Sequence, residues 1–360
     1  MNHYESLAAH RLLDANLNRA FEALRTLEDI ARFQDQAAFQ TQYKLLRHQL
    51  RAATQDWSHE QLYASRNAGD DVGRETKTIS ESSRTGGLLE ISTAASQRIQ
   101  QSLRCLEEVA KFLYPLNAAP IEAVRYQVYD LNAQLLLSQK RDLAFLAQAQ
   151  LYVLADCQLP LKAFVQKVSE LSRAGVDLIQ IRDKQRDAQE LIAYTHAAVD
   201  AVDANQTRIV VNDRADILQC TTAFGLHVGQ TDLSVVQSRS LIRPVCILGL
   251  STHDIAQVRE AIAAGVDYIG CGPTFPSDTK NFYSFAGLPF LREVAAFLLD
   301  GGSSLPAFAI GGIDLTNLNR LLETGIRRVA VSKAIWGAEQ PGLAAEAFSK
   351  ILKHVELAIE

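Results

Sequence analysis

The chain has 360 residues, a length that fits two domains, and its 48% hydrophobic and 21% charged residues supply apolar material for two cores. A formal net charge of −5 argues against a nucleic acid or an anionic membrane surface as the main partner, and leaves local basic pockets for small anions open. No apolar run approaches the roughly 20 residues of a membrane span, and "MNHYESLAAHRLLDANLNRA" is too polar for a secretory leader. Five cysteines with no C-x-x-C pair read as buried thiols of a reducing compartment, not as a disulfide frame or a zinc site, so a cytoplasmic protein is expected.

Residues 1–142 have helical grammar. Leu17, Phe21, Leu24, Leu27, Ile30 and Ala31 recur at helical spacing, while Arg19, Glu22, Arg25, Glu28, Asp29 and Arg32 fill the other faces. The segment repeats internally: "FEALRTLEDIARF" (21–33) matches "QQSLRCLEEVAKF" (100–112), and "LLRHQLRAA" (45–53) weakly echoes "AVRYQVYDL" (123–131). Two related helical hairpins forming an all-α bundle are expected. Between them, "SRNAGDDVGRETKTISESSRTGG" (65–87) reads as a long loop.

From about residue 149 short β-branched runs alternate with helix-length segments: "QLYVLAD", "DLIQIRD", "RIVVND", "FGLHVG", "CILGLST", "YIGCGPTF", "PAFAIGG" and "RVAVSKAI". Repeated strand–helix units imply parallel strands. About eight of them over 149–356 predict an α/β domain, a small (β/α)8 TIM barrel following the helical domain. An open doubly wound sheet is the alternative, weakened by the lack of G-x-G-x-x-G after the first strand.

In such a barrel, chemistry gathers where strands end. Strand two ends in Gln180, Arg182, Asp183 and Lys184, strand three in Asn212 and Asp213, and strand four in His227, Gln230 and Asp232. Strand five gives Ser251 and His253, and strand six opens into "GPTFPSDTK" with Ser277, Thr279 and Lys280. Strand seven ends in Gly311 and Gly312, and strand eight in Ser332 and Lys333. Singly, such residues have bland readings. A strand-end Asp commonly caps a helix, Asp183 reads as a cap or surface residue, His253 as a satisfied polar group, and a glycine pair as a tight turn. Together they sort by chemistry. Asp213 and Asp232 are hard oxygen ligands suited to Mg²⁺, which takes one or two carboxylates and completes its shell with phosphate oxygens and water. Arg182, Lys184 and Lys280 supply positive charge for a polyphosphate. Ser277 and Thr279 offer hydroxyl donors. Gly311, Gly312, Ser332 and Lys333 fit the barrel's phosphate cradle. A metal–pyrophosphate site beside a monophosphate site suits an enzyme that joins a pyrophosphate ester to a phosphorylated nucleophile.

The motifs "QIRDK" (180–184), "NDR" (212–214), "GLHVGQTD" (225–232), "GLSTH" (249–253) and "GPTFPSDTK" (272–280) together resemble those of the thiamine-phosphate synthase family, in order and spacing. The resemblance implies a transferase that joins hydroxymethylpyrimidine pyrophosphate to thiazole phosphate with Mg²⁺, giving thiamine monophosphate and pyrophosphate. It implies Asp213 and Asp232 as the metal ligands. It assigns Gln180, Arg182, Lys184, Asn212 and Lys280, with Ser251 nearby, to the pyrimidine pyrophosphate, and Arg182, Lys184 and Lys280 to catalysis. Ser277, Thr279, Gly311, Gly312, Ser332 and Lys333 go to the thiazole phosphate, and His227 and Gln230 shape the mouth. Ser277 stands where the family has threonine, Lys333 where serine is commoner, and "NFYSFAG" (281–287) is unusually aromatic. The expected partners are small-molecule substrates, and a homo-oligomer stays open.

The helical half resembles the ThiD2 domain fused to some of these synthases, through "LDANLNRAFEALRTLEDIARF" (13–33), "GDDVG" (69–73) and "RIQQSLRCLEEVAKF" (98–112). The resemblance implies a pyrimidine-phosphate kinase, with Asp70 and Asp71 toward Mg²⁺ and Asn16, Arg19, Arg25, Arg98 and Arg104 toward phosphates. No G-x-x-x-x-G-K-S/T occurs. The competing reading is a structural module whose Arg and Glu residues form solvated ion pairs. Two further readings of the whole chain are a thiazole tautomerase-like relative, which needs no pyrophosphate-handling set, and a non-catalytic ligand sensor.

Overall fold

The computed structural model describes residues 3–34, 36–66, 87–276, 286–301 and 303–357. The expected loop at 65–87, with Asp70 and Asp71, lies almost wholly outside them, as do Ser277, Thr279, Lys280 and most of 281–287. The chain divides into two compact units, residues 1–140 and 141–360.

The first unit is all helical: α1 (His3–Phe33), α2 (Ala37–Ala53), α3 (His59–Ala64), α4 (Gly87–Leu113) and α5 (Pro115–Ser138). Helix α1 packs on α2 and α4, and α5 packs on α4 and α2, so the two hairpins close into a bundle. Its core takes Leu24 and Leu27 from α1 and their repeat partners Leu103 and Leu106 from α4, all fully buried, with Tyr43 and Leu50 from α2. One expectation is corrected here. Glu28 and its repeat partner Glu107 are buried, not solvated. Each accepts from an arginine on its own helix, Arg25 at 3.2 Å and Arg104 at 2.9 Å, and from one on the following helix, Arg47 at 3.0 Å and Arg125 at 2.7 Å. A buried carboxylate is tolerated when it is paired and hydrogen-bonded; the repeat carries that arrangement twice.

The second unit opens with α6 (Leu143–Gln148), capped by Asp142, whose carboxylate accepts from Phe145 N at 3.1 Å. Eight strands follow, β1 (Leu151–Ala155), β2 (Leu178–Ile181), β3 (Arg208–Asn212), β4 (Gly225–Val228), β5 (Ile247–Thr252), β6 (Tyr268–Cys271), β7 (Ala307–Ile310) and β8 (Arg328–Val331). They pair in parallel in chain order and close through β1 and β8. The expected (β/α)8 barrel is therefore observed. Between strands run α7 (Leu161–Arg173), α8 (Ala188–Ala201), α9 (Ala215–Gln219), α10 (Val235–Leu241), α11 (Ile255–Ala264), α12 (Gly287–Asp300) and α13 (Leu318–Leu322), and α14 (Pro341–Leu357) ends the chain.

Strand side chains alternate between two cores. Val153, Ile179, Val211, Leu226, Leu248, Ile269, Ala309 and Val329 face the helices. Tyr152, Leu178, Val210, Ile247, Tyr268, Phe308 and Ala330 face inward, and Leu146 of α6 joins that interior cluster. Space inside is shared between large and absent side chains: a Cβ on Gly249 would sit 2.1 Å from Tyr268 Cζ. The bare backbone of β5 thus lets the Tyr268 ring lie across the barrel. Tyr152, Tyr268 and Phe308 meet edge to face with centroids 5.5–6.0 Å apart, a favoured aromatic geometry. This aromatic layer is the floor on which the residues of the strand ends stand.

The cysteines form no disulfide. Cys157, Cys246 and Cys271 are buried as expected, whereas Cys105 is half-buried and Cys220, in the turn after α9, is exposed.

Candidate active site

A cavity of about 820 Å³ opens at the C-terminal ends of the strands. All the expected site residues that are described line it: Gln180, Arg182, Lys184, Asn212, Asp213, His227, Gln230, Asp232, Ser251, Gly311, Gly312, Ser332 and Lys333. They come from six strand ends scattered over the sequence and share one space because parallel strands of similar length deliver their ends to one rim.

Strand β2 carries Gln180 inward, and the loop after it presents Arg182 and Lys184. Arg182 makes no ion pair or side-chain hydrogen bond among the described residues, so its guanidinium is free for a ligand. Among the described residues Lys184 pairs with Asp213, at 4.0 Å. Between the two cations, Asp183 turns away and organises the loop. Its carboxylate accepts from Gln185 N, Arg186 N, Cys157 N and Gln158 Nε2 at 2.6–3.2 Å, contacts that hold it below the ordinary carboxylate range against the effect of burial.

Asp213 and Asp232 do not cap helices. The N-cap positions behind them belong to Arg214 and Ser234, and only Ser234 uses its side chain. Asp213 is held at φ 60°, the one non-glycine residue with positive φ among those described. Asp and Asn tolerate that region better than other residues, at a cost of roughly 1–2 kcal/mol. Its N–H donates to His227 O at 2.8 Å, which fixes the loop over β4. Burial, then the charge of neighbouring Asp232, pushes the Asp213 carboxyl up, and Lys184 opposes this. Asp232 is exposed and accepts from Gly229 N at 2.9 Å. A carboxyl whose charged form is disfavoured by a neighbouring carboxylate belongs to a donor set that a cation would relieve. No cluster of three or more His, Cys, Asp or Glu suited to a metal occurs among the described residues. The pair therefore fits an ion that draws most of its shell from water and substrate, as Mg²⁺ does.

Below the carboxylates runs a buried chain of hydrogen bonds. Gln180 Nε2 donates to the Tyr152 hydroxyl at 2.8 Å, and the Tyr152 and Tyr268 oxygens are 3.0 Å apart. Tyr268 lies 3.0 Å from His227 Nδ1, and His227 Nε2 lies 2.9 Å from Ser251 Oγ. Burial lowers the His227 imidazole to about 4, with Arg182 adding to the effect, so the ring is neutral near pH 7. Burial likewise raises both tyrosine hydroxyls. Tyr152 and Tyr268 are absent from the expected residues, because an inward tyrosine on an apolar strand reads as core. The available signal was the hydroxyl, since a buried one needs a partner.

Two residues of the lining also bond to the frame. Gln230 Nε2 donates to Ser251 O at 2.6 Å, stapling the β4 loop to β5. His253 Nδ1 lies 2.6 Å from Gly272 O, the satisfied polar role expected of it. At the far rim Gly311 and Gly312 have φ 101° and 65°. A Cβ on Gly312 would sit 2.6 Å from both Phe275 O and Pro276 O, so only glycine lets this turn nest against the β6 loop. Ser332 donates to Leu154 O at 3.2 Å.

In the helical unit, Arg25 is paired with Glu28 and Asp29, and Arg104 with Glu107 and Glu108, which is the structural use of those arginines. Asn16 Nδ2 donates to Leu12 O at 2.9 Å and contacts Cys105 Sγ at 3.2 Å.

Comparison with known proteins bears on both units. The family described as "Thiamine monophosphate synthase" matches residues 151–335, and the ThiD2 family matches residues 11–134. The chain is 41% identical to a thiamine-phosphate synthase of Rhodopirellula baltica over 100% of this chain and 96% of that one. It is 36% identical to one from Synechocystis over 93% of each. Among solved structures, a thiamine phosphate pyrophosphorylase from Pyrococcus furiosus superposes on 57% of this chain and 96% of its own, with TM-score 0.51 and 30% identity. No helix among the described residues is long and apolar enough to cross a membrane. On its barrel motifs and its full-length relatives, this chain belongs to the thiamine monophosphate synthase family.

Proposed function

We propose that the barrel is a transferase that makes thiamine monophosphate from hydroxymethylpyrimidine pyrophosphate and thiazole phosphate. The observation that carries this is one cavity holding Lys184, the facing Asp213–Asp232 pair and Arg182, whose side chain has no partner among the described residues, with a glycine-lined rim opposite. Charges of both signs at one mouth suit a metal-bound pyrophosphate, and the rim suits a monophosphate.

In this reaction the bond between the pyrimidine methylene carbon and the pyrophosphate oxygen breaks, and the pyrophosphate leaves with the electron pair. The thiazole ring nitrogen then bonds to the methylene carbon. No proton need be removed, so no general base is required. Asp213 and Asp232 would hold Mg²⁺, which neutralises charge on the leaving pyrophosphate. Arg182 and Lys184, with Lys280 from beyond the described residues, stabilise the same charge. Gln180, Asn212 and Ser251 orient the pyrimidine half, and the neutral His227 supports Ser251. The Gly311–Gly312 turn, Ser332 and Lys333, with Ser277 and Thr279, take the thiazole phosphate. Catalysis then rests on positioning and electrostatic stabilisation. This pyrophosphate-handling set disfavours a tautomerase-like activity.

The first unit is assigned to phosphorylation of pyrimidine phosphate, on its match to the ThiD2 family. The test is a product assay on the whole protein. One reaction receives pyrimidine monophosphate, ATP, Mg²⁺ and thiazole phosphate, and the other receives pyrimidine pyrophosphate directly. Thiamine phosphate in both is the expected result. Product only from the pyrophosphate would return the helical unit to a structural role. Product from neither would overturn the synthase reading and favour a ligand sensor.

A further inference from the structure

The buried chain Gln180–Tyr152–Tyr268–His227–Ser251 has a direction that its chemistry dictates. A carboxamide nitrogen can only donate, so the Tyr152 oxygen accepts from Gln180. Each phenol has a single proton, and neither tyrosine hydroxyl has another hydrogen-bond partner among the described residues. The Tyr152 proton therefore goes to Tyr268, and the Tyr268 proton goes to His227 Nδ1. With Nδ1 a bare acceptor, the neutral ring keeps its proton on Nε2 and donates it to Ser251 Oγ. The Ser251 proton is then left over, and Ser251 lines the cavity.

We infer that Tyr268 is a positioning residue: it holds His227 as the Nε2–H tautomer and thereby makes Ser251 a hydrogen-bond donor toward the bound ligand. The barrel is built to keep the chain in place. The Gly249 backbone lies beneath the Tyr268 ring, and a Cβ on Gly270 would come within 3.3 Å of His227 Cε1. Both rings are thus seated against strands that carry no side chain at those points. A tyrosine on β6, across the barrel from Gln180 on β2, so determines which atoms of β4 and β5 donate at the cavity. The tautomer assignment stands on this interior geometry alone. Its effect on turnover rests on the proposed synthase reading.

The experiment is ¹⁵N NMR of the full chain labelled at the histidine rings, without substrate, with His227→Gln identifying its signals among the eight histidines. The expected wild-type spectrum shows a protonated Nε2 and a bare Nδ1. In Tyr268→Phe, which keeps the ring packing and removes only the hydroxyl, the Nδ1–H form gains population. A wild-type ring protonated on Nδ1, or on both nitrogens, would overturn the proposal. So would a spectrum unchanged by Tyr268→Phe. Steady-state kinetics supplies the second arm. Tyr268→Phe is expected to lower kcat/KM for pyrimidine pyrophosphate by roughly tenfold, the scale of one buried hydrogen bond, with KM for thiazole phosphate unchanged. A shifted tautomer with unchanged kinetics would overturn the positioning role. A wild-type protein without synthase activity would instead overturn the reaction reading and leave the NMR result to decide the tautomer.

Discussion

Asp213 gathers two costs at one position: a left-handed backbone and a carboxyl whose charged form is disfavoured by burial and by Asp232. Its folded pKa is raised, so its contribution to stability is greatest at low pH, where it is protonated in both states. That contribution falls as pH rises from the ordinary carboxylate value through the raised one. Once ionised, the group works against the fold. Asp213→Asn keeps the tolerance for positive φ and removes the charge. It is expected to leave Tm equal or higher while lowering synthase turnover by roughly 100-fold or more, the scale of a lost charge-stabilising group. Thermal unfolding and the product assay, run on the same preparation, check both halves. Full Mg²⁺-dependent activity in this variant would remove Asp213 from the mechanism. Arg182, Lys184 and Asp213 stood out in the sequence because charged side chains gather at the ends of apolar strands. Tyr152 and Tyr268 did not, because which side of a barrel strand faces the ligand depends on register with neighbours far along the chain.

Paired elements show the same contrast. In the helical unit, burial acts to raise Glu107, and hydrogen bonds from Lys111 and Arg125 outweigh it, so its pKa is lowered overall. The stability it contributes is present above the ordinary carboxylate value and is lost as pH falls through the depressed one. Glu107→Ala would leave Arg125, whose side chain is 8% exposed, with the longer contact to Glu122 at 3.9 Å, and is expected to cost roughly 3–5 kcal/mol in a denaturant titration. Helical spacing showed Glu28 and Glu107 at matching repeat positions but not their burial, since the arginines that pair with them across helices, Arg47 and Arg125, sit in the weakest part of the repeat. On the barrel rim, the β7 turn and the β6 loop fit together only through Gly312. Gly312→Ala would force a Cβ against two backbone carbonyls at a positive φ. It is expected to cost about 1–2 kcal/mol of stability and to raise KM for thiazole phosphate more than KM for pyrimidine pyrophosphate. A variant with unchanged KM for thiazole phosphate would separate this turn from the monophosphate site.

Across the whole molecule, each unit has its own core, and the second begins at Arg141. Residues 141–148 belong to the barrel by contact. Arg141 donates to buried Asp267 at 2.6 Å, Asp142 pairs with Arg208 at 2.9 Å, and Leu146 joins the interior cluster. A chain of residues 141–360 is therefore expected to fold and to convert pyrimidine pyrophosphate without the helical unit. One starting at residue 149 loses the Leu146 burial and the Arg141 partner, and should be less stable by roughly 3 kcal/mol or more. Equal unfolding midpoints for the two fragments would show that α6 contributes nothing.

The sequence alone determined the class of each unit and the chemical inventory of the strand ends. Hydrophobic periodicity is local, and a polar residue at the end of a strand declares itself within a few neighbours. Only the tertiary structure decided which inventory members meet, that Asp213 and Asp232 face one another, that Gln230 and His253 bond to the frame, and that two core tyrosines connect Gln180 to Ser251. Those outcomes depend on strand register around a closed barrel and on the space left by Gly249 and Gly270. Both are properties of segments brought together by folding, and no single stretch of the chain contains them.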